Sequence, residues 1–284
     1  MCANLCDLSY CDDVQARICF SNQDATSAEA IDATVKRLLQ DCDVAPQPCL
    51  DSDADSFAYV VRLKSRPDDL YVVYRGTNSL EDLAKDVDVL LHPLSDAKAG
   101  PGPGPRVHSG FLGVYRDLEP SVAPCVDAFM QQGNPDARLV FTGFSMGAGV
   151  AAIAALTHAR KYPARAAFVG LGMPRTGDRA WAAAFGSAVP GAIRVVSASD
   201  PVAKLPVGAG YSHVGTLLHV GHPDPHPDIA VPSALIDHKL VSYIANVLAY
   251  VAARSSPVPV PVPAAHAVAD FFARLFARLF GERL

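Results

Sequence analysis

The chain of 284 residues is 50% hydrophobic, enough to bury a large core as one or two domains. Its 24 basic and 29 acidic residues are spread evenly and sum to -5, so no basic field exists to hold a nucleic-acid backbone, and nucleic acid is excluded as a partner. No apolar run approaches the ~20 residues of a membrane-spanning helix, and the opening "MCANLCDLSYCDDVQARICF" lacks the basic start, apolar run and small-residue cleavage site of a signal peptide; the expectation is a soluble, cytoplasmic body.

Cys2, Cys6, Cys11, Cys19, Cys42 and Cys49 crowd the start and Cys125 stands alone. No C-x-x-C pair occurs, and an odd total leaves at least one thiol outside any pairing within the chain. Reduced, mostly buried thiols are the expectation, with disulfides or acylation of an exposed Cys2 or Cys6 as alternatives. Ala28, Ile31, Val35, Leu38 and Leu39 then fall at helical spacing and predict a helix over 24–41. "FAYVVRL" (57–63) and "LYVVYRG" (70–76), joined by "KSRPDD", predict a hairpin. Leu80, Leu83, Ala84, Val87, Leu90 and Leu91 share one face of a helical wheel opposite Glu81, Asp82, Lys85, Asp86 and Asp88, with Val89 the exception. "AGPGPGPR" (99–106) follows as a loop.

In "RLVFTGFSMGAGVAAIAAL" (138–156) an apolar strand meets Gly143-x-Ser145-x-Gly147 and continues into a small-residue helix. A serine at such a corner sits in strained backbone, and glycines two residues to either side remove the side chains that would collide. The helix N-terminus favours a developing oxyanion, to which the Met146 amide can donate. Serine needs a base, and the base an orienting carboxylate, both downstream in this kind of sheet. Asp200 ends the apolar strand "IRVVSASDP" (193–201) where such sheets place chemistry, although an Asp before Pro also serves as a plain turn former. For the base, composition leaves His213, His219, His222, His226 and His238 open. With "AAFVGLGMP" (166–174) as a further buried strand, strands alternating with helices predict an α/β sheet, parallel in its middle. "ALIDHKLVSYIANVLAYVAA" (234–253) closes the domain as a helix.

"GHPDPHPD" (221–228) alternates His and Asp, but its prolines hold the backbone away from a convergent cage, so no metal site and no cofactor are expected. "SSPVPVPVP" (255–263) predicts an extended spacer. In the tail, Val268, Phe271, Phe272, Leu275, Phe276, Leu279 and Phe280 occupy one half-cylinder and Asp270, Arg274 and Arg278 the other. Charges at mid-bilayer cost about 2.5–3.5 kcal/mol each, so this helix is expected to lie in an interface rather than span it. Docking of its Phe-rich face on the domain or on a second copy is the alternative. The division is 1–254 as the catalytic domain, 255–263 as linker and 264–284 as amphipathic helix.

Seven segments in order resemble the class 3 lipase family, the fungal triacylglycerol lipase type of α/β-hydrolase: "VVYRGTNSLEDLAKDVD", "VHSGF", "FTGFSMGAG", "GMPRTGDRAW", "RVVSASDPVAKLP", "GYSHVG" and "DHKLVSYI". The resemblance implies an α/β-hydrolase fold with a mostly parallel central sheet, a helical lid at 80–91 hinged on the Gly/Pro loop, and a hairpin at "GYSHVG". It implies Ser145 as nucleophile, Asp200 as acid, His238 as base, and Thr77 with the Met146 amide as oxyanion hole. His213 matches a family position outside the triad and reads as a packing histidine. The chain departs from the family in carrying Phe144 and Met146 where the elbow commonly has His and Leu, and Leu83 where the lid has Trp. The implied activity is hydrolysis of acylglycerol-type lipid esters at an interface, with peripheral membrane contact through lid and tail. Phospholipase A1 or another acyl-ester specificity is the alternative, and a silent lipid-binding module is the alternative of another class.

Overall fold

A computed structural model describes residues 1–10, 47–50, 57–76, 90–94, 104–207, 210–221 and 237–255. The expected 24–41 helix, Thr77, the body of the expected lid, residues 222–228, residues 256–263 of the proline spacer and the tail lie outside the described residues. The elements are α1 (Cys2–Leu8), β1 (Gln47–Leu50), β2 (Phe57–Leu63), β3 (Arg66–Tyr74), β4 (Leu91–Pro93), β5 (Arg106–His108), α2 (Ser109–Met130), β6 (Arg138–Phe144), α3 (Met146–Lys161), β7 (Ala166–Leu171), α4 (Arg179–Ala188), β8 (Ile193–Ser197), β9 (Thr216–Val220) and α5 (Leu240–Ser255).

Seven strands form one sheet in the order β1-β2-β3-β6-β7-β8-β9. The pairs from β3 to β9 are parallel and the two at the β1 end are antiparallel, which is the mostly parallel α/β sheet expected from the alternation of strands and helices. Alternate residues of the strands feed two cores. Leu139 and Phe141 of β6 join Val122, Val126, Ile153, Trp181 and Phe185 on the face covered by α2, α3 and α4. Val140 and Phe144 join Leu5, Cys6 and Tyr243 on the face covered by α1 and α5. Ala148, Ala151, Ala152, Ala154 and Ala155 of α3 have no exposed surface, because the helix is wedged between sheet and α2; only small side chains let it sit that close to the strand that feeds it.

Three details differ from the sequence expectation. The hairpin turns at Lys64 and Ser65 alone, and β3 begins at Arg66 inside the supposed connector. Pro67 is tolerated because the register shifts there: Leu63 opposes Arg66, Arg62 opposes Leu70, and pairing with β6 starts at Asp69, so no ladder bond lacks its N–H. At "GYSHVG" the chain makes no hairpin; Ser212 bridges to Gly177 and β9 then runs parallel to β8. Cys2 and Cys6 of α1 are buried, and Cys6 Sγ lies 3.8 Å from Thr142 Oγ1. Burial pushes the Cys2 thiol up, away from reactivity.

Candidate active site

Ser145 and Asp200 follow the parallel strands β6 and β8, and His238 lies just before α5. Ser145 follows β6 at φ 58°, a conformation that costs an L-residue about 1–2 kcal/mol. The corner is held by Ser145 N donating to Leu171 O at 2.9 Å and Ala148 N donating to Ser145 O at 3.1 Å. The two glycines are steric requirements. A Cβ on Gly143 would lie 2.4 Å from the Gly147 carbonyl, and one on Gly147 would lie 2.3 Å from Tyr74 O. Met146 opens α3, so its N–H belongs to the first turn, whose amides have no acceptor within the helix.

His238 Nε2 lies 2.9 Å from Ser145 Oγ, and its Nδ1 lies 2.8 Å from Asp200 Oδ2. A carboxylate only accepts, so Nδ1 carries the proton and the Nε2 lone pair faces the serine hydroxyl. Asp200 and His238 have no exposed surface and Ser145 is 2% exposed. The hydroxyl, imidazole and carboxylate singled out from the sequence thus meet in one buried chain. The two other candidate histidines among the described residues are engaged elsewhere. His213 Nε2 is bonded to Ala203 O at 2.7 Å and His219 Nε2 to Ala198 O at 2.6 Å, and His222 and His226 lie outside the described residues. Burial first, then the Arg194 charge, push the His213 imidazole down to about 4, which suits its reading as a neutral packing residue.

Four residues to which the sequence reading gave no role support this chain. The Tyr243 hydroxyl donates to Asp200 Oδ2, the oxygen that also faces His238. Val202 N donates to Asp200 Oδ1 at 2.8 Å, so both oxygens are fixed. Asp237 Oδ2 accepts from Ser199 N at 3.0 Å and ties the acid turn to the residue before His238. Gly172, at φ 57°, leaves room for the imidazole: a Cβ there would lie 3.1 Å from His238 Cε1 and 3.2 Å from Asp200 Oδ2. Phe144, the departure from the family's usual histidine, stacks on the imidazole at 4.8 Å and meets Tyr243 edge-on at 5.5 Å. It serves as an apolar wall. Across the corner, Gly76 N donates to Tyr10 Oη at 3.1 Å, which holds the chain one residue before Thr77.

Among the described residues, no group of three or more His, Cys, Asp or Glu could hold a metal, and no helix is long and apolar enough to cross a membrane.

The family model described as Lipase (class 3) matches residues 71–209, which include Ser145 and Asp200. "Phospholipase A1-II 3" of Oryza sativa subsp. japonica is 29% identical over 185 residues, covering 56% of this chain and 44% of the relative. "Lipase" of Rhizomucor miehei is 32% identical over 155 residues, covering 51% of this chain and 40% of the relative. The chain therefore spans less than half the length of these curated relatives. The solved structure described as "a serine protease triad forms the catalytic centre of a triacylglycerol lipase" superposes with a TM-score of 0.60 at 25% identity, covering 77% of each chain.

Proposed function

We propose, from the premise that this chain belongs to the class 3 lipase family, that it is a serine carboxylic-ester hydrolase acting on acylglycerol-type lipids. The observation that carries the proposal is the buried relay from Asp200 Oδ2 through His238 to Ser145 Oγ, at 2.8 and 2.9 Å. Ser145 Oγ attacks the ester carbonyl while His238 Nε2 takes its proton. Asp200, held in place by the Tyr243 hydroxyl and the Val202 amide, stays ionised and stabilises the imidazolium. The tetrahedral oxyanion accepts from the Met146 amide and from Thr77. Its collapse expels the alcohol, which receives the proton from His238, and leaves an acyl-serine. Water, deprotonated by the same imidazole, repeats the sequence and frees the fatty acid.

A fluorophosphonate probe tests this reading, since it reacts with an activated serine and needs no knowledge of the substrate. Labelling of the wild-type chain, lost in Ser145→Ala, is expected; folded wild-type protein that fails to label would leave the silent lipid-binding module as the better reading.

Phospholipase A1 specificity is the second reading, favoured by the rice relatives that carry that name. Position-resolved analysis of the products from a phospholipid and from a triacylglycerol separates the two. Peripheral membrane contact through the lid segment and the tail, in a cytoplasmic protein, rests on the amphipathic patterns of 80–91 and 268–280.

A further inference from the structure

We propose that a basic cavity behind the Asp200 turn binds a phosphate-class oxyanion. Its volume is about 400 Å³, and Arg175, Arg194, Lys204, His213 and His219 line it beside the turn; small-molecule sites span roughly 300–1,000 Å³. The proposal is independent of the hydrolase reading, because it concerns binding outside the serine relay.

The charges around this cavity do not cancel. Asp200 is the one carboxylate among its described lining residues, and His238, Tyr243 and Val202 already occupy both its oxygens. Arg175 donates to the Lys204 and Pro206 carbonyls, which orients the guanidinium without neutralising it. Arg194, on β8, has its Nε buried without a hydrogen-bond partner. It forms no ion pair among the described residues, and the Arg175 charge adds to the burial that disfavours its own. A guanidinium does not give up its proton in a protein, and Arg194 is half-buried with its Nε sealed from water, so the part of its hydration lost on folding is a cost. An anionic occupant removes that cost.

The donor and acceptor pattern narrows the anion. His213 donates from Nε2 to Ala203 O at 2.7 Å, so its Nδ1 carries a lone pair, and that atom is buried without a partner. Arg194 acts electrostatically on the same imidazole. The cavity thus combines guanidinium donors with an imidazole acceptor. A carboxylate offers nothing to the acceptor, whereas a phosphate monoanion or phosphomonoester presents anionic oxygens to Arg194 and a P–OH to His213 Nδ1. His213 and His219 also hold the carbonyls of Ala203 and Ala198, which bracket Asp200, so an occupant braces the turn that carries the acid.

The test is calorimetric titration of the full chain with inorganic phosphate at constant ionic strength near pH 6, where phosphate keeps a hydroxyl. Saturable binding is expected, weakened at least about tenfold in Arg194→Met and unchanged in Ser145→Ala. In the wild-type chain the His213 imidazole NMR resonances should move with the same midpoint, a readout that survives if Arg194→Met fails to fold. Vesicles of phosphatidylcholine with and without phosphatidic acid separate the sources. Phosphate-competed binding to the phosphatidic acid vesicles assigns the site to a lipid headgroup, and binding of free phosphate alone assigns it to a soluble ligand. No saturable binding, undiminished binding in folded Arg194→Met, or binding that leaves His213 unmoved would overturn the proposal.

Discussion

Replacing Tyr243 by Phe removes a single hydroxyl from behind the acid. The ring is fully buried and its edge contact with Phe144 at 5.5 Å survives the change. What disappears is the hydrogen bond to Asp200 Oδ2. Burial, then the Asp200 charge, push the Tyr243 phenol far above its ordinary range, so it remains a protonated donor at any working pH. A hydrogen bond to an ionised group contributes about 1.5–3 kcal/mol. With Val202 N and His238 still serving the carboxylate, we expect unfolding free energy to fall by about 2 kcal/mol, equivalent to roughly 4–8 °C in Tm. Turnover should lose less, because the imidazolium formed during reaction draws on the same Oδ2, which the variant no longer shares. We expect kcat to fall about 3–10-fold, near 1 kcal/mol, and KM to stay unchanged, since Tyr243 acts only through Asp200. Urea unfolding followed by Trp181 fluorescence and steady-state hydrolysis of p-nitrophenyl butyrate measure the two quantities. A variant with wild-type midpoint and wild-type kcat would refute the bond's role, and a raised KM at constant kcat would refute the positioning argument.

Gly172→Ala should lower kcat/KM about 10–100-fold by shifting the imidazole, and stability by about 1–3 kcal/mol from the strained φ; unaltered turnover would mean that the ring does not lie against residue 172. His213 is held neutral with its proton affinity depressed from 6.5 to about 4, so the unfolded chain binds the extra proton first. Stability should be fully present above about 6.5 and decline as pH falls toward 4. Partial solvent screening limits the loss to about 1–2 kcal/mol, and His213→Gln should flatten that limb in acid unfolding curves. Deleting residues after Pro263 should spare hydrolysis of a soluble short-chain ester and weaken action on vesicles; equal activity on both would remove the tail from membrane contact.

The central strands and the serine corner were legible because both depend on local rules: apolar runs, a glycine-flanked turn and a small-residue helix are visible without partners. The choice of His238 over four other histidines was not local, and it rested on resemblance. Tyr243 and Gly172 fall in segments that resemble the family, but nothing in the sequence assigned them a role, since their importance comes from contacts with Asp200, 43 and 28 positions away, that only the fold creates. Helix α2 was unreadable for a different reason. Pro120 and Pro124 interrupt it in sequence, where proline ordinarily marks a stop, and burial of Leu118, Val122 and Val126 outweighs the lost amides. The short α1 has too few residues for a periodicity to show; it is fixed by Leu5 and Cys6 seated against the sheet.

Tyr10 reaches the main chain at Gly76 from a stretch that looks like an expendable lead-in. Proteolytic clipping of those ten residues, or an expression boundary drawn too far in, would strip the phenol from that amide and empty the seats of Leu5 and Cys6 beneath the strands. Every reactive side chain would survive such damage, yet the strand end leading to Thr77 would lose its brace. Inactivity of a shortened preparation would then report missing scaffolding rather than missing chemistry.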